Sequence, residues 1–239
     1  MPQHKILVTG ASRGIGLEIA RHFNSQGHDV VGIARSKPPS FPGGFHEVDL
    51  SSATETQEGL AEIAKYFDAD IVINNAGLTT AKTIEESDFE EFDRIVAVNL
   101  RAAMQCAQAC IPAMKKNHWG RIVNISSRAA LGMPKRNAYS AAKAGIIGFT
   151  RNWALDLGKY GITVNAVAPG PIQTELYRNN NPMNDDQMNE LIRRVPVQRL
   201  GLPEDIIAPI DFFCSEKSGF VTGQVLYVCG GLSIGAAPV

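Results

Sequence analysis

Short runs of aliphatic and β-branched residues alternate along this chain with longer stretches whose apolar positions recur every three or four residues. KILVTG, DVVGIA, FHEVDL, DIVINNAG, GRIVNIS, ITVNAVAPG and QVLYVCGG read as strands. Ile15 to Gln26, Thr54 to Tyr66, Phe89 to Lys115 and Ala138 to Leu157 carry helical spacing. Strands and helices taking turns predict α/β architecture, a single-domain Rossmann-type doubly wound parallel sheet with helices on both faces. Two stretches break the rhythm. RSKPPSFPGG, between the second and third strands, holds three prolines and predicts a loop where a parallel crossover usually carries a helix. From about Glu175 to Leu200 turn formers lead into a short amphipathic helix, which reads as a flap beside a site or as a surface insertion.

Composition narrows the classes. With 239 residues, 44% of them hydrophobic, the chain suits one compact domain spanning residues 1–239. A formal charge of -1 argues against nucleic-acid binding, which needs a basic field, and favours small-molecule partners. No secretory signal and no apolar run of membrane-spanning length is visible, so a cytoplasmic protein is expected. Cys106, Cys110, Cys214 and Cys229 form neither a disulfide framework nor a metal-binding pattern; no metal is expected, and packing in a reducing cytoplasm is their simplest role.

The first strand runs into Thr9, Gly10, Gly14 and Gly16, with Ser12, Arg13 and Ile15 in the same turn, and a helix follows. Glycines let the backbone approach a pyrophosphate, whose charge meets the N–H groups of the helix start. At the end of the second strand, where an acid would bind an adenosine ribose hydroxyl, the chain reads Ala34, Arg35, Ser36, Lys37. Arg13 and Arg35 suit a 2'-phosphate, so NADPH is expected over NADH. Asp49, followed by Leu50, is placed to accept from an adenine amino group or to cap the next helix. Asn74, Asn75, Ala76 and Gly77 end the fourth strand, where small residues let the chain run against the adenine ribose.

Tyr139 and Lys143 stand four apart at the start of a helix, on one face. An ammonium beside a phenol favours the phenolate and makes it a useful acid/base near neutral pH. Upstream, Ser126 and Ser127 end a strand at the carboxyl edge of the sheet, and a hydroxyl there can donate to a substrate oxygen. Strand alternation points the two to opposite faces, so only one can serve. Asn99, in the middle of a helix, holds either a water linked to Lys143 or an ordinary satisfied amide.

Taken together, T-G-x-x-x-G-x-G at Thr9 to Gly16, N-N-A-G at 74–77, Asn99, the serine after GRIVNIS, Tyr139-x-x-x-Lys143 and Pro169-Gly170 resemble the short-chain dehydrogenase/reductase family along the whole chain. The resemblance implies a catalytic tetrad of Asn99, Ser127, Tyr139 and Lys143. Tyr139 would transfer the proton, Ser127 hold the carbonyl, Lys143 bind the nicotinamide ribose, and Asn99 support a proton-relay water. It also implies hydride transfer from the B face of the nicotinamide, with Pro169, Gly170, Ile172 and Thr174 holding the carboxamide. A homotetramer joined through the Tyr139 helix and the last strand is implied as well, and Ile146, Ile147, Phe149, Trp153 and Leu155 spread apolar surface around that helix. The missing second crossover helix, and a gap from Ser127 to Tyr139 one residue shorter than the commonest, depart from the family pattern. The overall likeness is to 3-oxoacyl-(acyl-carrier-protein) reductases, and Arg128, Lys135 and Arg136 near the expected mouth suit an acidic substrate or acyl carrier, or plain solvated surface. Reductases of ketones, diols and sugars share the pattern. A non-catalytic NADPH-binding sensor is the rival reading, disfavoured by the intact Tyr139 and Lys143.

Overall fold

The computed structural model describes residues 3–235. Its strands are β1 (Lys5–Thr9), β2 (Asp29–Ala34), β3 (Gly44–Glu47), β4 (Ile71–Asn74), β5 (Gly120–Ile125), β6 (Ile162–Pro169) and β7 (Val225–Val228). They pair in parallel in the order β3-β2-β1-β4-β5-β6-β7. The helices are α1 (Gly14–Ser25), α2 (Ala53–Ala64), α3 (Phe89–Val96), α4 (Ala102–Asn117), α5 (Asn137–Leu157), α6 (Glu175–Asn180), α7 (Asp185–Arg194) and α8 (Pro203–Cys214). This is the doubly wound sheet that the alternating pattern predicts.

Side-chain alternation along each strand builds two cores. Leu7, Val72, Ile122 and Val164 face Leu60 and Ile63 of α2, Cys106 and Met114 of α4, and Leu157 of α5. Ile6, Val8, Ile73 and Val123 face Ile19 and Phe23 of α1 and Ile206, Ile210 and Phe213 of α8. All four cysteines are free and buried. Burial pushes the Cys110 thiol up to about 12 and raises those of Cys106 and Cys214 as well, which leaves them inert packing groups. Among the described residues no helix is long and apolar enough to cross a membrane.

Three elements differ from the sequence reading. The segment expected as one helix from Phe89 to Lys115 is α3 and α4 joined by a widened π-type turn, Ala97–Arg101, with Asn99 inside it. The turn-former stretch contains α6, capped by Thr174, whose hydroxyl accepts from the Tyr177 N–H at 3.1 Å. Helix α8 was not foreseen, because Pro209 interrupts its pattern. Its start is nonetheless well marked: Pro203 opens it, and Asp205 accepts from the Leu202 N–H and pairs with Arg199 at 2.6 and 2.7 Å. The proline-rich stretch after β2 is a loop, as its composition requires.

The order of strands reverses direction between β1 and β4, so a crevice opens beyond their carboxyl ends. Behind it, β4, β5 and α5 are tied by a buried polar chain. Asn74 Nδ2 donates to Asn124 Oδ1 at 2.8 Å, Asn124 Nδ2 to Thr150 Oγ1 at 2.9 Å, and Thr150 Oγ1 to the Ile146 carbonyl at 2.8 Å. Asn124→Ala strands the Asn74 amide in a dry interior and is expected to cost about 2 kcal/mol. Urea unfolding would show this as a lower midpoint with an unchanged slope. An unchanged midpoint would mean that the chain of amides contributes nothing net.

Candidate active site

The glycine turn sits where β1 enters the crevice. Gly10 has φ 66°, and a Cβ there would lie 2.8 Å from the Ala76 Cα; a Cβ on Gly16 would lie 2.3 Å from the Gly10 carbonyl oxygen. Only glycine permits a turn folded this tightly. Thr9 locks it to the next turn: its hydroxyl accepts from the N–H groups of Asn75 and Ala76, each at 3.0 Å. The Asn75 amide in turn donates to the carbonyls of Thr9 at 2.9 Å and Gly10 at 3.3 Å. Asn75 thus shapes the cradle with its amide nitrogen.

At the start of α1 no side chain caps the helix and no acid stands in the first turn. The exposed N–H groups and the positive end of the helix dipole therefore suit an anionic group such as a pyrophosphate. Ser12 and Ile15 lie in this turn, partly exposed. Arg13 pairs with Glu175 of α6 at 3.3 Å, with about half of each side chain exposed. Such a pair is worth roughly 0–1 kcal/mol and is readily exchanged for a phosphate.

At the adenine end, Arg35 is exposed, and its charge helps to hold the Asp49 carboxyl below the usual range, although the main cause there is a hydrogen bond from the Ser51 N–H. Ser52, not Asp49, caps α2. Leu50 points into the core beside Leu7 and Leu60, so it can meet a ligand only through its backbone. One acid escaped the sequence reading. Glu47, at the end of β3, accepts from the Lys37 N–H at 2.9 Å, so a carboxylate reaches the loop after β2 from the neighbouring strand.

The loop after β6 closes the far side. The Gly170 N–H donates to the Val228 carbonyl at 2.9 Å, next to Pro169, the last residue of β6. Ile172 is buried and bridges to Gly201. A Cβ on Gly14 would lie 3.5 Å from the Thr174 side chain, so this loop meets the glycine turn directly.

Four polar side chains converge between these walls. Lys143 is 3% exposed and donates from Nζ to the Ile125 carbonyl, the last of β5, at 2.7 Å. Burial brings its pKa down to about 8. Its Nζ lies 5.7 Å from the centre of the Tyr139 ring. The Tyr139 phenol hydrogen-bonds with Ser127, while burial raises its pKa above the ordinary value; Ser127 and the Arg136 charge oppose the rise. The expected lowering by Lys143 is not what the geometry provides, because the ammonium is held at the strand end and the ring is desolvated.

Ser126 and Ser127 do diverge: Ser126 donates to the Lys143 carbonyl at 2.7 Å, deep in the protein, and Ser127 faces Tyr139. Asn99, 2% exposed, donates from Nδ2 to the carbonyls of Leu78 and Ile95, both at 2.8 Å, and its Oδ1 is buried without a partner. A Cβ on Gly77 would lie 3.3 Å from that oxygen and 3.8 Å from Lys143 Nζ, so both atoms face one small space. A bare glycine turn, an orphaned acceptor beside a buried ammonium, and a phenol paired with a serine together fit a nicotinamide dinucleotide and a carbonyl or alcohol.

Comparison with known proteins agrees with this geometry. Residues 10–233 match the family model described as enoyl-(acyl carrier protein) reductase. A (2S)-((R)-hydroxy(phenyl)methyl)succinyl-CoA dehydrogenase subunit of Thauera aromatica is 39% identical over 240 residues, covering 95% of this chain and 96% of that one. A 3-oxoacyl-(acyl-carrier-protein) reductase of Rickettsia bellii is 35% identical over 232 residues, covering 95% of each. The ligand-free aldohexose dehydrogenase of Thermoplasma acidophilum superposes with a TM-score of 0.92 at 32% identity, over 99% of this chain and 97% of that one. The protein is an NAD(P)-dependent oxidoreductase by fold and site; it belongs to the short-chain dehydrogenase/reductase family.

The depressed pKa of Lys143 has a stability consequence. Between pH 8 and about 10.5 the unfolded lysine holds a proton that the folded one has lost, so this group makes stability rise with pH across that window. Chemical denaturation of wild type and Lys143→Met over pH 7 to about 10.5 is expected to show the extra rise in the wild type alone. Parallel curves would mean that the ammonium titrates as it does in water.

Proposed function

We propose that the protein is an NADPH-preferring reductase of carbonyl groups, reversible towards the alcohol, with Tyr139 as general acid/base. The observation that carries this reading is the pairing of the Tyr139 phenol with Ser127 beside the buried ammonium of Lys143. When bound, the dinucleotide supplies the hydride that converts C=O to CH–O. Tyr139 gives its phenolic proton to that oxygen, and Ser127 donates to the same oxygen as charge grows on it. Asn99 Oδ1 and Lys143 Nζ, facing one space, hold a water through which the phenol regains its proton. Lys143 also binds the nicotinamide ribose, and Pro169, Gly170, Ile172 and Thr174 lie where the carboxamide is held. At the adenine end, Gly10, Ser12, Gly14, Ile15 and Gly16 cradle the pyrophosphate, and Asp49, Leu50, Asn75, Ala76 and Gly77 border the adenosine.

The preference for NADPH rests on Arg13 and Arg35, with Glu47 already engaged by the Lys37 N–H. Three residues between Tyr139 and Lys143 favour carbonyl over enoyl reduction, where the gap is longer. The names of the relatives span acyl thioesters and sugars. A 3-oxoacyl thioester is one substrate class consistent with them, and a small ketone, diol or sugar is another. The α6–α7 segment serves as a movable cover, tethered to the glycine turn by the Arg13–Glu175 pair. Exposed Leu155 on α5 and exposed Phe212 and Leu226 on α8 and β7 supply apolar surface for a homotetramer, and the buried free thiols suit a reducing cytoplasm.

Two measurements test these readings. With a panel of ketones and an acetoacetyl thioester, NADPH oxidation is expected to fall by about 10³-fold in Tyr139→Phe, with wild-type kcat/KM at least about tenfold higher for NADPH than for NADH. Equal cofactor consumption by wild type and variant across the panel would favour a non-catalytic sensor, and equal use of both cofactors would remove the NADPH claim. Light scattering is expected to give four times the chain mass, and a monomer would contradict the assembly.

A further inference from the structure

Two arginines border the approach to Tyr139 with nitrogens that no group satisfies. Arg136, immediately before α5, is only 7% exposed; its Nη2 donates to the Asn180 carbonyl at 2.8 Å and to Asn181 Oδ1 at 3.0 Å, while its Nη1 is buried without a partner. Arg128 follows Ser127 directly, and its Nε is likewise buried and unpartnered. Among the described residues neither guanidinium has a carboxylate within ion-pair distance, although six other lysine or arginine contacts of that kind do form.

The surroundings define a pocket wall. Tyr177 of α6 is partly buried, and both arginine charges act on its phenol. The Arg136 charge also acts on the phenol of Tyr139. Arg136, one turn before Tyr139 and bonded to the end of α6, and Arg128, next to Ser127, thus both lie within electrostatic reach of the Tyr177 phenol on α6. A buried cation lacking a counterion is strongly unfavourable, and the planar guanidinium fork matches a carboxylate better than it matches any neutral group.

We propose that Arg128, Arg136 and Tyr177 form a carboxylate-binding subsite, so that the substrate is an oxo or hydroxy acid whose carboxylate lies a few bonds from the reacting carbon. This rests on the carbonyl-reductase reading of the same site and narrows it. A plain 3-oxoacyl thioester leaves these nitrogens bare, whereas a thioester bearing an additional carboxylate near the carbonyl fills them. The anion fixes the distance and direction of the carbonyl from Tyr139, which is how remote binding energy becomes orientation.

The test compares 2-oxobutanoate, 3-oxobutanoate and 4-oxopentanoate, each with its methyl ester, as substrates of the wild type with NADPH. For at least one chain length kcat/KM is expected to favour the acid over its ester by about 100-fold. Arg128→Gln is expected to reduce that ratio by about tenfold or more. Arg128 is the better probe because Arg136 also holds α6; Arg136→Gln should show the same loss of ratio. Titration calorimetry of the NADPH complex with 3-hydroxybutanoate and with its amide, in which both partners are already reduced and no hydride can pass, gives a second readout that needs no turnover. Heat from the acid alone, lost in Arg128→Gln, supports the subsite even if no ketone is reduced, in which case the reductase reading fails by itself. Ketone reduction with esters as good as acids at every length, and a ratio unmoved by Arg128→Gln, overturns the subsite and leaves the reductase reading standing.

Discussion

An ammonium kept inside the protein is the constraint around which this site is built. Lys143 is almost completely buried, and one carbonyl, that of Ile125 at the end of β5, carries its charge. Burial alone drags its proton affinity down towards neutral pH. Everything near it serves either to tolerate that charge or to use it. Gly77 leaves bare space above it, and the widened turn between α3 and α4 brings the Asn99 oxygen to the same space. Ser126 fixes the helix that carries it by donating to its own carbonyl. The lysine is thus held at its ammonium by the Ile125 carbonyl and at its own carbonyl by the Ser126 hydroxyl, and Tyr139, one helical turn earlier, inherits a fixed position from it.

The same economy of polar groups shapes the cofactor side. Thr9 uses one hydroxyl to clamp two successive N–H groups of the turn after β4, and Asn75 returns its amide to the glycine turn. The two lips of the crevice therefore cannot separate without breaking several partly buried hydrogen bonds at once. Deeper in the sheet, the Asn74–Asn124–Thr150 chain does for the catalytic helix what Thr9 does for the glycine turn. Rigid lips and a rigid helix leave the α6–α7 segment as the wall that fewer cross-chain bonds hold, and Arg136 bonds to its end at Asn180 and Asn181.

Local features were legible in the sequence, and contacts made across the chain were not. Alternating strands and helices gave the architecture because their periodicity is local, and the glycine turn and the Tyr139–Lys143 spacing were visible for the same reason. Asn99 stood out as a poor helix former, but nothing local announced the π-type turn around it. Pro209 hid α8 by breaking the pattern that its well-marked start had begun. The two serines could be told to diverge, but which one met the phenol depended on where α5 packs. Lys143 was read as tuning Tyr139, whereas its ammonium is held by a strand carbonyl and burial dominates the phenol. Arg128 and Arg136 could be read either as drawing in an acidic substrate or as solvated loop charges, because the α6 groups near them, Asn180 and Asn181 bonded to Arg136 and Tyr177 within the reach of both charges, lie more than forty positions further along the chain.

The most direct test of the central claim is a crystal structure of the complex with NADPH and a non-reacting carbonyl analogue. The Tyr139 and Ser127 oxygens are predicted within about 2.6–3.2 Å of the analogue's oxygen, with the Lys143 ammonium on the nicotinamide ribose. A phenol turned away from the dinucleotide, or a dinucleotide bound outside the β1–β4 crevice, would contradict the account.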